Sequence, residues 1–530
     1  MPSFDAFSSD VAVRNPSQSY KYDDYESKKP SIFSLRAYRL VIGVMLLFTF
    51  YCTTSMRADL GMAMVCMVNA SAYSSPETSL KPDLNQSSTR TSQCERMETE
   101  KAIASGYNGT LAWNPTMQAT LFSATYYGAI LTVVPGGILA DRFMPNIILL
   151  VAVLNYVLIS FLTPLLATTN YYGFLTGRIV MGLGEGFVLP TMSSLAARWF
   201  PETERSTICA IYTSGNQIAT STVPLIGAAL CSSKFLGGWP AIFYLLGCVG
   251  TIWACLWVVF VTSSPQDNKW IPNKEKRYLE VSLGKTGKKL AKDPIPWKSI
   301  ALSLVMLSNW LSTYAANYTA TLQQAYLPTY YKEVLYMDIH KNGFYSTMPF
   351  LVQLIMKNIF SILSDKLKAW KVVSPTFACK MFQTLGAIVQ SFTLLMLAFF
   401  IDCTRPTLAV VLFAMNGIGA AAVIPGSMTS LLSVAPTHTG TLIALSMIFG
   451  QLANFSATNI VGIINKHGSP EEWSLIFLIA GIINITSGVL FVCFGSADVQ
   501  PWATPLPRIA NNASNQGNEL NNATICDENA

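Results

Sequence analysis

Apolar runs of about 20 residues or more recur along most of this chain, and that pattern leaves few folds open. In a bilayer such a run satisfies its own backbone donors and acceptors only as a helix, so the expected fold class is all-α and polytopic. Composition agrees. Residues AVILMFWYC make up 51% and charged residues only 12%, against about a quarter charged in soluble domains. A soluble enzyme is excluded. The first run starts near Leu40, behind a polar arm carrying Lys28, Lys29, Arg36 and Arg39, which is too long and too late for a cleavable signal peptide.

Twelve transmembrane helices are predicted, at about 38–68, 114–138, 145–167, 171–197, 206–230, 240–262, 299–331, 342–364, 374–400, 406–431, 439–464 and 473–495. The expected organisation is an N-terminal arm (1–37), a first six-helix half (38–263) with a polar loop at 70–113, a central loop (264–298), a second six-helix half (299–495) and a tail (496–530). The central loop carries nine lysines and arginines against four acids. Basic turns at Asp141-Arg142, Arg198 to Arg205 and Lys366 to Lys371 fall on the same side. By the positive-inside rule that side, with both termini, is cytosolic. The net charge of +6 needs no nucleic acid to explain it. The 70–113 loop then lies outside, where the sequons at Asn85 and Asn108 are expected glycosylation sites, with Asn69 a poorer one close to the membrane. The eleven cysteines show no ligand spacing and read as small buried hydrophobes, and any bridge to Cys94 is undetermined. Neither tail carries an acidic dileucine or a clear tyrosine sorting motif, which leans toward the plasma membrane, with an intracellular vesicle or lysosome membrane the other expectation.

Among the charges inside the apolar runs, three draw the argument first. Arg178 and Glu185 lie in GFLTGRIVMGLGEGFVLPTMSSLAARWF, residues 173 to 200, and Arg57 lies in the first run. A charge at bilayer depth costs roughly 2.5–3.5 kcal/mol on insertion scales, so it is rarely kept without a task. Arg178 and Glu185 are two helical turns apart and share a face, with Gly182 between them allowing close approach. Two arginines and one carboxylate give a net positive cavity suited to an anion. Arg57 could instead snorkel from a helix end, and Glu185 could simply neutralise Arg178. Asp59 is expected to cap or pair locally. No catalytic triad, phosphate loop or metal-ligand cluster is present, which implies no enzyme, no metal and no cofactor beyond a coupling ion, H+ or Na+.

Gly137-Ile-Leu-Ala-Asp141-Arg142, between the second and third spans, resembles the loop signature of the major facilitator transporters. Ser364-Asp365-Lys366-Leu367 is its echo in the second half. The resemblance implies two halves that rock about a midplane site, with Asp141, Arg142, Asp365 and Lys366 forming a latch in the outward-open state. More of the chain is similar to the anion:cation symporters, which include vesicular glutamate, sialic acid and sodium/phosphate transporters. The matching stretches are Arg57-Ala-Asp-Leu-Gly-Met-Ala-Met-Val, Trp113-Asn-Pro, Pro135-Gly-Gly, Arg178 through Gly186, Arg198-Trp-Phe-Pro, Gly238-Trp-Pro-Ala-Ile-Phe-Tyr, Pro296-Trp-Lys-Ser-Ile and Gln500-Pro-Trp-Ala.

That resemblance implies substrate binding by Arg57 and Arg178, with Asn216 and Tyr126 lining the cavity, and proton coupling by Glu185, which competes with substrate for Arg178. Tyr126 has an equal claim as a core aromatic. The chain departs from vesicular glutamate transporters at two positions, Phe122 for a histidine and Ala316 for an arginine, which disfavours glutamate. Met56 replaces an acidic residue of bacterial relatives, leaving coupling to Glu185. The expected function is secondary active transport of an organic or inorganic anion by alternating access, with the bilayer and a small anion as partners and a monomer as the working unit. The alternative, a non-transporting receptor or adaptor on the same fold, would not need the intact Arg178/Glu185 pair.

Overall fold

The computed structural model describes residues 37–69, 107, 109–233, 235–284, 296–435 and 439–503. Among these residues the protein is helical, with one isolated backbone bridge between Val68 and Leu111. The first half comprises α1 (Tyr38–Met67), α2 (Pro115–Arg142), α3 (Pro145–Thr169), α4 (Tyr171–Trp199), α5 (Glu202–Ser232) and α6 (Pro240–Phe260). The central loop contributes α7 (Asn273–Gly284) and α8 (Trp297–Ala301). The second half comprises α9 (Leu304–Glu333), α10 (Ile339–Ala369), α11 (Pro375–Phe400), α12 (Pro406–Ala422), α13 (Thr429–Val434), α14 (Thr439–Ile464) and α15 (Pro470–Phe494). Ten helical segments are long and apolar enough to cross a membrane. α5 and α9 are as long but more polar.

Local sequence sets the helix ends. Asn114, Asn170, Ser303, Asp338 and Ser374 each accept a backbone N–H in the first turn of their helices. Ser469 and Glu472 form a reciprocal capping box on α15. Three stretches differ from the sequence expectation. The seventh span breaks near Leu302, because Ser303 caps a fresh helix and leaves α8 separate. The tenth span is interrupted by a π-helical turn, Ile424–Met428, where Pro425 lacks the N–H that a regular ladder needs and the Gln383 side chain accepts the Ser427 N–H. The central loop is more than a polar interruption. Glu275 of α7 accepts the backbone N–H groups of Tyr38 and Arg39 at the start of α1, at 2.7 and 3.2 Å, and pairs with the Arg39 guanidinium at 2.8 Å. Glu204 at the start of α5 completes this buried cluster.

Membrane helices associate through close packing rather than hydrophobic drive, so small residues mark the seams. A Cβ on Gly182 of α4 would fall 2.0 Å from the Thr125 carbonyl of α2, so the two backbones touch there. The two halves meet where Gly61 of α1 faces the Gln324 carbonyl of α9 and where Gly343 of α10 faces Pro224 and Ala228 of α5. Hydrogen bonds between halves run from Lys332 to the Val65 carbonyl (2.9 Å), from Tyr107 to the Met337 carbonyl (2.6 Å), from Thr347 to the Ser221 carbonyl (2.9 Å) and between Ser123 and Thr458 (2.7 Å). These four sit in the part of the bundle away from α7, whereas a fifth, from Lys357 of α10 to the Thr213 hydroxyl of α5 at 3.1 Å, lies nearer the central loop. A disulfide, Cys66–Cys231, ties the ends of α1 and α5 on that same side, and Cys403 is also disulfide-bonded. Here the cysteine expectation fails. It holds for the buried free thiols of Cys52 and Cys379, but a pair 165 residues apart carries no local spacing signal.

Candidate functional site

Arg57 sits two-thirds along α1, and its guanidinium reaches Glu185 of α4 at 2.9 Å. The two side chains are 17% and 19% exposed, so water reaches the pair. The second Glu185 oxygen accepts the hydroxyl of Tyr156 from α3. On the same two helices the second pair is dry. Arg178 lies 3.8 Å from Asp59, with side chains 2% and 0% exposed. Arg178 also donates to the Arg57 carbonyl at 3.2 Å and contacts the Met181 sulfur at 3.7 Å. Its Nε and both Asp59 oxygens make no hydrogen bond. The pair is thus held by charge alone, in a setting where charge interactions are strong.

The expected partners are therefore exchanged. Glu185 pairs with Arg57, not Arg178, and Asp59 reaches across to α4 rather than pairing locally. Arg57 does not snorkel to a helix end. The expected net positive cavity is also corrected, because two arginines and two carboxylates sum to zero. The shared helix face was read correctly, but facing helices decide which neighbour each group meets. α1 approaches α4 closely enough to offer a carboxylate at one level and a guanidinium at the next. Tyr156 escaped the sequence reading. Its signal was the Asn155-Tyr156 polar pair inside an otherwise apolar third span, and Asn155 in turn donates to the Val180 carbonyl at 2.7 Å, fixing α3 against α4.

The remaining residues are placed as follows. Tyr126 is buried in α2 and lies within electrostatic range of both arginines. Asn216 is half-buried on α5, one turn before Thr220, which lines a small cavity with Ala58, Met62, Gln323 and Ser346. Phe122 packs on Tyr326 of α9 at 4.8 Å between ring centres. Among the latch residues whose side chains are described, Arg142 is not brought together with Asp365 and Lys366. Arg142 and Lys366 are exposed, and Asp365, 80% exposed, pairs with Lys368 of its own helix at 3.7 Å. Asp141 lies in the last turn of α2, and its side chain is outside the described residues. Arg198, which the sequence reading did not assign to the latch, donates to the Ala140 and Phe143 carbonyls there. Asn69 is exposed beyond α1, while Asn85 and Asn108 lie outside the described residues.

The sequence pattern of the Major Facilitator Superfamily matches residues 101–402, more than half of the chain. The chain belongs to the Major Facilitator Superfamily. Within the superfamily it falls in the anion:cation symporter family that its motifs resemble. It is 36% identical to "Uncharacterized transporter slc-17.3" of Caenorhabditis elegans, across 90% of this chain and 91% of that one. It is 29% identical to a "Putative inorganic phosphate cotransporter" of Drosophila ananassae, across 85% of this chain and 91% of that one. Among solved structures, the D-xylose-proton symporter superposes with a TM-score of 0.62 at 14% identity, covering 87% of this chain and 99% of that one, a likeness of fold. This superfamily member therefore carries its two ion pairs within an all-helical bundle in which ten helical segments are long and apolar enough to cross a membrane. The non-transporting receptor alternative finds no support among these relatives.

Proposed function

We propose that the protein is a secondary active transporter that carries an organic or inorganic anion by alternating access, driven by protons. The observation that carries this reading is the water-reached Arg57–Glu185 pair beside the sealed Arg178–Asp59 pair. Arg178 is the fixed element, positioned by Asp59 and bonded to the Arg57 carbonyl. Arg57 is the exchangeable one. When Glu185 is ionised it holds Arg57, and when it takes a proton it releases the guanidinium to an incoming anion. The Tyr156 hydroxyl keeps the carboxyl in place through the change. Tyr126 and Asn216 contribute polar contacts to the cavity wall.

Charge counting explains the coupling. The empty site is neutral, and so is the site with one proton and one monovalent anion. A site holding only the anion is −1, and one holding only the proton is +1. Moving either unbalanced state through the closed, low-dielectric midplane costs several kcal/mol of lost solvation. The empty and doubly loaded sites reorient readily, so proton and monoanion travel together, one for one. The hydrogen bonds between halves are more numerous on the side away from α7 than on the central-loop side, where Lys357 reaches Thr213, and they support a state closed most firmly on the side away from α7. Disulfides on the closed side support an extracytosolic assignment for it, which leaves the central loop cytosolic. The protein acts as a monomer in the plasma membrane or an intracellular vesicle or lysosome membrane.

Proteoliposomes test this with labelled inorganic phosphate, lactate, glucuronate and succinate, imposing pH and sodium gradients separately. Accumulation driven by the pH gradient alone is expected. Uptake that follows only sodium would refute proton coupling, and uptake of no panel anion under either gradient would refute the anion-transport reading.

A further inference from the structure

Six charged side chains are buried among the described residues: Arg39, Asp59, Arg178, Glu204, Glu275 and Lys357. Five pair with one another, Arg39 with Glu204 and Glu275, and Arg178 with Asp59. Lys357 is the exception. It is 5% exposed, it stands in the interior of α10, and no carboxylate lies within ion-pair distance among the described residues. Its ammonium makes one hydrogen bond, to the Thr213 hydroxyl of α5 at 3.1 Å, and an ammonium can donate three. Snorkelling does not account for it, since the side chain is sealed between the two halves.

Its level in the bundle is the informative fact. α5 runs away from the central loop, starting at the buried Arg39 cluster, and α10 runs back toward it. Thr220 of α5 and Phe350 of α10 line the small cavity next to Ala58, the neighbour of Arg57. Thr213 lies seven residues before Thr220, and Lys357 seven residues after Phe350. At 1.5 Å of rise per residue, both sit about 10 Å closer to the central-loop mouth than the Arg57 level. The polar groups that the second half offers to the cavity, Gln323, Gln324 and Ser346, are neutral.

We infer that Lys357, with Thr213, is a second anion-binding station from the opposite half of the protein, on the path between the Arg57 site and the central-loop mouth. This deepens the anion-transport reading and rests on it. An anion leaving Arg57 toward the central-loop side meets the unneutralised ammonium next, and one arriving from that side meets it first. The station raises the local anion concentration at one mouth only, so its effect is one-sided.

Cys209 is a native reporter of this charge. It is exposed, one helical turn from Thr213 on the same face of α5, and close enough to Lys357 for their charges to interact. On the purified full-length protein, the modification rate of Cys209 is followed on its own peptide by mass spectrometry. The reagents are the anionic sulfonatoethyl and the cationic trimethylammonioethyl methanethiosulfonate. Lys357→Gln removes the charge but keeps a hydrogen-bonding side chain of similar reach, and Lys357→Arg keeps the charge. The anionic-to-cationic rate ratio is expected to fall about tenfold in Lys357→Gln and to be retained in Lys357→Arg, at the low end of electrostatic focusing in clefts. A ratio unchanged in Lys357→Gln overturns the station, whatever the protein transports. In proteoliposomes, with the panel anion that the wild type accumulates most, Lys357→Gln is expected to raise KM severalfold from the central-loop side and leave it unchanged from the other. Equal effects from both sides would reduce Lys357 to a structural role. Absence of wild-type uptake refutes the transport reading instead, and the Cys209 ratio stays decisive for the local charge.

Discussion

Asp59→Asn is expected to destabilise the protein several times more than Glu185→Gln, although both remove one carboxylate from a site with two arginines. At 3.8 Å and an effective dielectric near 20, the Arg178–Asp59 attraction is about 4 kcal/mol. Removing Asp59 leaves Arg178 buried and uncompensated, for which about 3–5 kcal/mol of destabilisation is usual. The Arg57–Glu185 pair is shorter, at 2.9 Å, but water reaches both side chains. Solvent then takes over much of what Glu185 supplied, and the loss is roughly 1 kcal/mol. The assay is reversible unfolding in detergent, run as double-mutant cycles on Asp59→Asn with Arg178→Gln, Glu185→Gln with Arg57→Gln, and Glu185→Gln with Arg178→Gln. The first cycle is expected to give a coupling of roughly 2–3 kcal/mol, the second about 1, and the third close to none. A large coupling between Glu185 and Arg178 with none between Asp59 and Arg178 would refute the partner assignment and the charge counting built on it.

Three further outcomes are expected. Glu185→Gln fixes the protonated-like form, so exchange of labelled for unlabelled anion should persist while pH-driven net uptake is lost, and retained pH-driven uptake would remove Glu185 as the proton carrier. Gly182→Ala places a methyl 2.0 Å from the Thr125 carbonyl, so α2 and α4 must separate; fluorescence size-exclusion chromatography should show loss of the monodisperse peak, and a normal peak would mean the seam is looser than described. Replacing Cys66 and Cys231 by serine opens a cross-link spanning 165 residues, which should lower stability by about 2–4 kcal/mol and make the thermal transition less sensitive to reductant, the remainder coming from the bridge at Cys403, and a transition matching the unreduced wild type would count against the bridge.

The sequence by itself determined the architecture. Runs of apolar residues at bilayer length admit helices and little else, and the structure is helical with ten segments long and apolar enough to cross a membrane. It also located buried charge, because charges at membrane depth are rare enough to stand out singly: the structure brings Arg57, Arg178 and Glu185 together. Lys357, as conspicuous a charge in an apolar span, was legible in the same way but had no motif to draw notice. What the tertiary structure decided was partnership. Asp59 and Glu185 are both carboxylates near arginines in the sequence, and nothing in helical spacing says which arginine each will meet. The same holds for Cys66 with Cys231, Lys357 with Thr213, and Glu275 with the start of α1. Helical period fixes which residues share a face, since that depends on neighbours three and four apart along one chain. Which face meets which, and at what level, depends on glycine seams such as Gly182 against Thr125 that set how closely two helices approach. That register lies between helices, and only packing specifies it.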